Sequence, residues 1–95
     1  MIYTVWVAVY EKNGLKRGPG LLDAFFALTE PWVADIDSVS GGGPLGQPVY
    51  KVAISIHPRF EGSIFGLEVL APRHYPQRFL VPDGQSFEVR LDRMP

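Results

Sequence analysis

Residues 50–57 read Tyr50-Lys51-Val52-Ala53-Ile54-Ser55-Ile56-His57, with a large apolar residue at every second position. Successive side chains of a β-strand point to opposite faces, so one face of this stretch carries Tyr50, Val52, Ile54 and Ile56. The other face carries Lys51, Ser55 and His57. The stretch therefore predicts a β-strand with one face buried and one face in solvent.

The same period of two recurs elsewhere in the chain. The strongest repeats place Phe65, Leu67, Val69 and Ala71 on one face, and Phe87, Val89 and Leu91 on another. We predict strands over residues 2–10, 21–28, 32–39, 49–57, 64–71, 78–81 and 86–92. Short strands at this spacing are typical of small barrels and sandwiches. Because an all-β chain covers its apolar face by curling on itself, we predict a small closed or partly open antiparallel β-barrel of about six strands.

Two of these segments carry ambiguous patterns. Residues 2–10 are apolar on both parities, which predicts a strand that is covered on both faces or lies against a loop. Residues 21–28 fit a strand parity and also a helical stripe, so a short helix near residues 21–28 stays the alternative to a strand.

Glycine and proline mark the connections. Residues 11–20 combine Asn-Gly, Gly-Pro and three cations, which predicts a solvated loop, and residues 40–48 predict a flexible connection between the two halves of the chain. Asp83-Gly84 separates two strand-like runs and predicts a tight turn.

Composition places the chain among single-domain globular proteins. Its 95 residues predict one domain, 1–95, and 46% hydrophobic residues supply a core. A net charge of −1 creates no field for a nucleic acid or an anionic membrane, and we expect neither as a partner. The N-terminal residues lack a signal-peptide pattern, and with no cysteine in the chain we predict a cytoplasmic protein.

The chain offers no catalytic or metal-binding motif. His57 and His74 match no metal-ligand spacing, even with Glu61 or Glu68 added, so we predict two solvated histidines. The glycine-rich residues 41–46 are followed by proline and a strand, whereas a phosphate loop leads into a helix.

The carboxylates and serines also give no reason to predict catalysis. Asp35 and Asp37 share a strand parity, and we predict that both face solvent. The serines lack the setting of an elbow nucleophile. We therefore expect no enzyme, no cofactor and no metal.

Basic and aromatic residues concentrate in two loops. Phe60 lies before the predicted strand 64–71, and Arg73, Tyr75 and Arg78 follow that strand, with Tyr75 bracketed by Pro72 and Pro76. Arginine and tyrosine are enriched at the energetic centres of protein interfaces, so we predict these four residues as partner-binding residues. The alternative for Tyr75 is a ring folded back over the barrel end as a core plug.

Several segments carry a resemblance to a known family: Val9-Tyr10, the turn at residues 14–18, the run 24–29 and the strands 52–56 and 65–70. In these patterns of apolarity and glycine the chain resembles the second and third β-barrel domains of translation elongation factor Tu, and the small free-standing bacterial proteins related to the third. The segments touch roughly two thirds of the chain. The Gly-Gly-Arg, Tyr-Arg-Pro, Pro-Gly-Asp and Arg-Glu-Gly motifs of that family are absent at the matching places, so the resemblance implies a barrel and carries over no binding residue.

These patterns together favour a non-catalytic module that binds another protein through loops or an exposed strand edge. An accessory subunit or a small inhibitor or immunity-type protein has this composition. The alternatives are a barrel that binds a small ligand and a weak binder of single-stranded nucleic acid. A ligand barrel should carry polar residues on its inward parity. We count none among the inward residues, which favours a filled interior over a ligand cavity; these residues are Tyr50, Val52, Ile54, Ile56, Phe87, Val89 and Leu91. Self-association into a homo-oligomer stays open.

Overall fold

Eight β-strands make up most of the chain. The structure, a computed structural model, describes residues 1–81 and 85–95, and for Pro44 the main chain only. The strands are β1 (Ile2–Asn13), β2 (Lys16–Gly20), β3 (Phe25–Leu28), β4 (Ala34–Gly42), β5 (Gln47–Ile56), β6 (Gly66–Leu70), β7 (Gln77–Leu80) and β8 (Ser86–Leu91). Single turns of 3₁₀ helix at Gly43–Leu45 and Pro58–Phe60 lie in the connections.

The strands form two sheets that face each other. In the larger sheet β1 pairs antiparallel with β5, and β5 pairs with β4. Tyr10 of β1 pairs with both β2 and β8, so these two strands lie on opposite sides of β1. The smaller sheet has the order β3-β6-β7. The larger sheet curls over the smaller one, which confirms the prediction of a small, partly open all-β barrel.

One hydrophobic core fills the space between the sheets. Tyr50, Val52, Ile54 and Ile56 are at most 4% exposed, as their alternation predicts. The other sheet contributes Phe65, Leu67 and Val69, which are at most 2% exposed. Full burial of an apolar side chain of this size stabilises a fold by about 1.5–3 kcal/mol. The strands with the clearest period of two therefore hold the barrel together.

The chain forms more strands than predicted, and one pair is parallel. The predicted loop at residues 11–20 is instead the end of β1 and the edge strand β2, joined by a turn at Gly14 with φ 60°. Charged residues are tolerated on an edge strand, so the cations there do not require a loop. The prediction of antiparallel pairing throughout is wrong for β8. The chain passes through β6 and β7 of the smaller sheet and then returns to the larger sheet, where β8 lies beside β1 and runs in the same direction.

The outer face of β1 is uncovered over part of its length, which contradicts the first of the two predicted arrangements, cover on both faces along residues 2–10. Ile2 is 51% exposed and Trp6 is 38% exposed, because the smaller sheet packs against the opposite face of β1. Single apolar side chains are common on protein surfaces. The apolar residues at the even-numbered positions of β1 therefore do not require a second layer of structure over the outer face of this strand.

Residues 21–28 contain a strand and no helix. Phe25–Leu28 form β3, and the preceding loop is attached to the core by Tyr50. The Tyr50 hydroxyl donates to the Leu21 carbonyl at 2.7 Å and accepts from the Ala24 amide at 3.1 Å. Burial raises the pKa of this hydroxyl.

The glycine-rich residues 40–48 connect β4 to β5 as a hairpin and serve packing. Gly42 has φ 74°, and a side chain there would approach the Tyr50 ring to 2.6 Å and the Leu22 carbonyl to 2.8 Å. Glycine is therefore required where the hairpin passes over Tyr50. The tight turn predicted at Asp83-Gly84 lies outside the described residues.

Candidate functional site

The chain segments that follow β6 and β8 are tied together at one end of the barrel. The Tyr75 amide donates to the Asp92 carbonyl at 2.8 Å, and the Met94 amide donates to the Arg73 carbonyl at 2.7 Å. His74 and Arg93 form an antiparallel bridge between these two bonds. Residues 73–75 and residues 92–94 therefore form a short antiparallel pair of extended segments, which holds the loop after β6 against the tail after β8.

Arg73 has a left-handed backbone conformation, with φ 63°, at the start of this pair. A non-glycine residue in this region carries about 1–2 kcal/mol of local strain. Such strain persists where surrounding contacts hold the backbone, and it is found often at binding sites. Here the hydrogen bond from Met94 to the Arg73 carbonyl holds it.

His74 attaches the same loop to the barrel wall, and the prediction of a solvated His74 is wrong. Its side chain is 9% exposed, its Nε2 lies 2.9 Å from Glu11 Oε1, and its Nδ1 lies 2.7 Å from the Pro72 carbonyl oxygen. The two ring nitrogens thus connect the loop to Glu11 on β1 and to the backbone of Pro72. The imidazole thus fixes the loop that presents Arg73 and Tyr75.

A depression of about 460 Å³ lies beside these bonds, lined by Arg73, Arg93, Met94 and Pro95. Neither guanidinium group has an ion-pair partner among the described residues. Tyr75, whose amide is bonded to the same tail, is 49% exposed, so its ring lies at the surface and does not form the buried plug. We use the name arginine end for Arg73, Arg93 and Met94, which line the depression, together with Tyr75, whose amide is bonded to the adjoining tail.

The structure places the other two predicted binding residues elsewhere. Arg78 lies on β7, and its Nε donates to Glu68 Oε2 at 2.8 Å on the neighbouring strand β6. Phe60 precedes β6, whereas Arg73 and Tyr75 follow it, so Phe60 lies toward the opposite end of that strand. The Phe60 ring is partly buried against the core and has the Arg59 guanidinium 5.6 Å from its centroid. Of the four predicted residues, only Arg73 and Tyr75 share this surface.

Arg93 and Met94 were missed by the sequence analysis. They join this surface through the bridge between His74 and Arg93, which pairs two segments that are far apart in the chain. No local pattern of residue types indicates such a pairing.

The remaining charged clusters are ion pairs on the barrel surface. Glu88 accepts from Arg17 and Arg90, and these two guanidinium groups hold the pKa of its carboxyl below the usual range. His57 Nε2 lies 2.8 Å from Asp35 Oδ2, and its Nδ1 lies 2.9 Å from the Trp32 carbonyl. The hydrogen bond to Asp35, with a smaller effect of the Trp32 carbonyl, raises the pKa of His57. In these clusters each carboxylate is paired with a guanidinium group or an imidazole, so the clusters offer no unpaired carboxylate to a ligand.

The structure also bears on the chemical sites considered from sequence. Asp35 and Asp37 are both exposed, as predicted, and a bulge at Asp37 breaks the strand parity that the two carboxylates share in the sequence. Within residues 1–81 and 85–95, no group of three His, Asp or Glu side chains could hold a metal ion. No helix in the described part of the chain is long and apolar enough to cross a membrane.

Comparisons with protein-family models, with curated proteins and with solved structures found no match to this chain. The resemblance to the barrel domains of elongation factor Tu stays a prediction, and no residue role rests on it.

Proposed function

We propose that the protein is a non-catalytic protein-binding module, either an accessory subunit or an inhibitor or immunity-type protein, and that it binds its partner through the arginine end. The observation that carries the proposal is the pair of guanidinium groups of Arg73 and Arg93, which line one depression without an ion-pair partner in the described chain. A guanidinium group presents up to five donors in a fixed plane, which suits carboxylate groups of a partner.

The hydrogen bonds around the arginine end support a surface that is organised before binding. Main-chain bonds hold Arg73 and Tyr75 against the tail, and His74 attaches their loop to Glu11. A rigid surface loses less conformational entropy on binding than a mobile loop. Tyr75 adds a half-exposed aromatic ring, and tyrosine and arginine are the residue types most enriched at the energetic centres of interfaces.

The test is capture and measurement of the partner with matched variants. Immobilised wild-type protein is exposed to extract of the source cells, and bound proteins are identified by mass spectrometry. The double variant Arg73→Ala/Arg93→Ala removes both guanidinium groups. Its control is Lys16→Ala/Lys51→Ala, which removes two exposed positive charges that have no ion-pair partner among the described residues and lie outside the arginine end.

We expect a partner that the wild type and the lysine control capture equally and that the arginine variant does not. With the purified partner, the arginine variant is expected to bind about 30-fold more weakly or worse, which corresponds to about 2 kcal/mol, at an unchanged melting temperature. Equal affinity of all three proteins, or equal loss in the lysine control, contradicts the proposal.

A further inference from the structure

Strands β7 and β8 face each other along an open seam. They are neighbours in sequence, and the bridge between His74 and Arg93 places their outer ends in antiparallel register. Yet no ladder of main-chain hydrogen bonds joins β7 to β8 in the described residues: β7 pairs with β6, and β8 pairs with β1. Across the seam the Phe79 and Phe87 rings stack at 5.9 Å between centroids. Side chains therefore bridge a gap that the backbones leave open.

The main-chain groups that face the seam follow from the bonds on the other side of each strand. The Trp6 amide donates to the Gln85 carbonyl, so the odd-numbered residues of β8 direct their amides and carbonyls toward β1. The even-numbered ones, including Glu88 and Arg90, direct theirs into the seam. The Val81 amide donates to the Phe65 carbonyl, so by the same alternation Arg78 and Leu80 face the seam from β7.

The two edges of the seam are free of β-bulges, one of the features that protect sheet edges. The edge strand β4, by comparison, has a bulge at Asp37 and an irregularity at Gly41 and Gly42 in its pairing with β5, and bulges bend an edge strand and hinder the addition of another strand. β7 and β8 pair with their neighbours without a register shift. Regular edges with free amides and carbonyls accept a further extended chain.

The charges beside the seam indicate which chain it would take. Arg73 and Arg93 lie at its bridged end and have no ion-pair partner among the described residues. Arg78 and Arg90 lie along its two sides, each paired with one glutamate on its own sheet. The bridged end therefore carries the unneutralised positive charge, and it is the part of the seam that complements carboxylates.

We propose that the seam between β7 and β8 takes up an extended segment of the partner protein as an added strand, with acidic residues of that segment at Arg73 and Arg93. This inference rests on the proposed function and specifies how the arginine end is used. The added chain hydrogen-bonds to the amides and carbonyls of Arg78, Leu80, Glu88 and Arg90. Its inward side chains contact Phe79 and Phe87, and its outward side chains lie in solvent.

The probe is a synthetic peptide of alternating valine and threonine with two glutamates at one end, made in both orientations. Its control carries the same side chains with N-methylated amides, which cannot donate main-chain hydrogen bonds. Binding is followed by NMR spectroscopy of the labelled protein. We expect the preferred orientation to bind with new hydrogen-exchange protection at the four seam amides, and the N-methylated peptide to bind at least about tenfold more weakly.

A protein variant separates the main-chain contacts from the arginine contacts. Leu80 is 66% exposed and its amide faces the seam, so Leu80→Pro removes a seam donor while the pairing of β7 with β6 is retained. Leu80→Thr is the control that changes the side chain and keeps the amide. We expect Leu80→Pro to lose about tenfold or more in affinity for the peptide and Leu80→Thr to lose little. Unchanged circular dichroism and melting temperature of both variants exclude unfolding as the cause.

Three results overturn the inference. One is protection of the seam amides in the free protein, since the seam is then already closed. Another is peptide binding that depends on Arg73 and Arg93 but leaves the seam amides unprotected and is unaffected by Leu80→Pro, which refutes strand addition and leaves the proposed function intact. The third is absence of binding by the peptide in both orientations, in which case capture of the natural partner still decides the proposed function by itself.

Discussion

Replacement of Arg73 by glycine separates the stability of the arginine end from its binding. At φ 63°, a non-glycine residue carries about 1–2 kcal/mol of strain that glycine lacks. Glycine also gains freedom in the unfolded chain, which costs about 0.5–1 kcal/mol relative to alanine. The difference leaves Arg73→Gly about 0.5–1 kcal/mol more stable than Arg73→Ala. For a domain of this size that difference corresponds to about 2–8 °C in melting temperature.

Urea denaturation of the two variants measures this difference, and Lys51 provides the reference site. Lys51 is an exposed residue within β5 and has an ordinary strand conformation. Lys51→Ala should therefore be more stable than Lys51→Gly by about 0.5–1 kcal/mol. The order of glycine and alanine should thus be reversed between the two sites. Both Arg73 variants should lose the same affinity for the partner, because both lack the guanidinium group. An alanine variant at residue 73 that is as stable as the glycine variant refutes the left-handed conformation.

Three further predictions concern the barrel itself. Tyr50→Phe removes both hydrogen bonds to the loop at residues 21–24 and should destabilise the fold by about 1–3 kcal/mol in urea denaturation; an unchanged unfolding midpoint contradicts this. Gly42→Ala should lower the melting temperature, because the new methyl group meets the Tyr50 ring at 2.6 Å with φ at 74°; a melting temperature equal to that of the wild type shows that the hairpin can shift. The pKa of His57 is raised above its ordinary value of 6.5, so its bond to Asp35 stabilises the fold fully below about pH 6.5, and this stabilisation is lost as pH rises through the raised pKa. Unfolding at a series of pH values should show a larger loss in the wild type than in Asp35→Asn, which keeps only the smaller effect of the Trp32 carbonyl, and identical profiles of the two proteins would be inconsistent with the pairing.

The sequence predicts the parts of the fold in which burial alternates residue by residue. Tyr50 to Ile56 and Phe65 to Ala71 have one apolar and one mixed parity, and both have the predicted face in the core. The edge strand β2 was missed because an edge with one neighbour accepts glycine, proline and cations, which are also the residues of loops. Local patterns thus identify buried strands better than exposed ones.

The candidate site was predicted only in part, because its two halves are far apart in the chain and only one of them stands out in the sequence. Arg73 and Tyr75 stand out locally as a basic and aromatic loop, whereas Arg93 acquires its role from the pairing of residues 73–75 with residues 92–94. The left-handed conformation of Arg73 likewise has no signal in residue type, since glycine or asparagine is the usual residue there. Tertiary pairing, and not local propensity, assembles the arginine end.

Hydrogen exchange of the free protein tests the open seam most directly, because adjacent residues of one strand should exchange at different rates. On β8 the amides of Phe87 and Val89 are bonded to β1, while those of Glu88 and Arg90 face the seam. We predict slow exchange at Phe87 and Val89 and fast exchange at Glu88 and Arg90, with the same alternation between Phe79 and its neighbours on β7. Uniform protection along both strands would mean that β7 and β8 are paired in solution, and it would contradict the account.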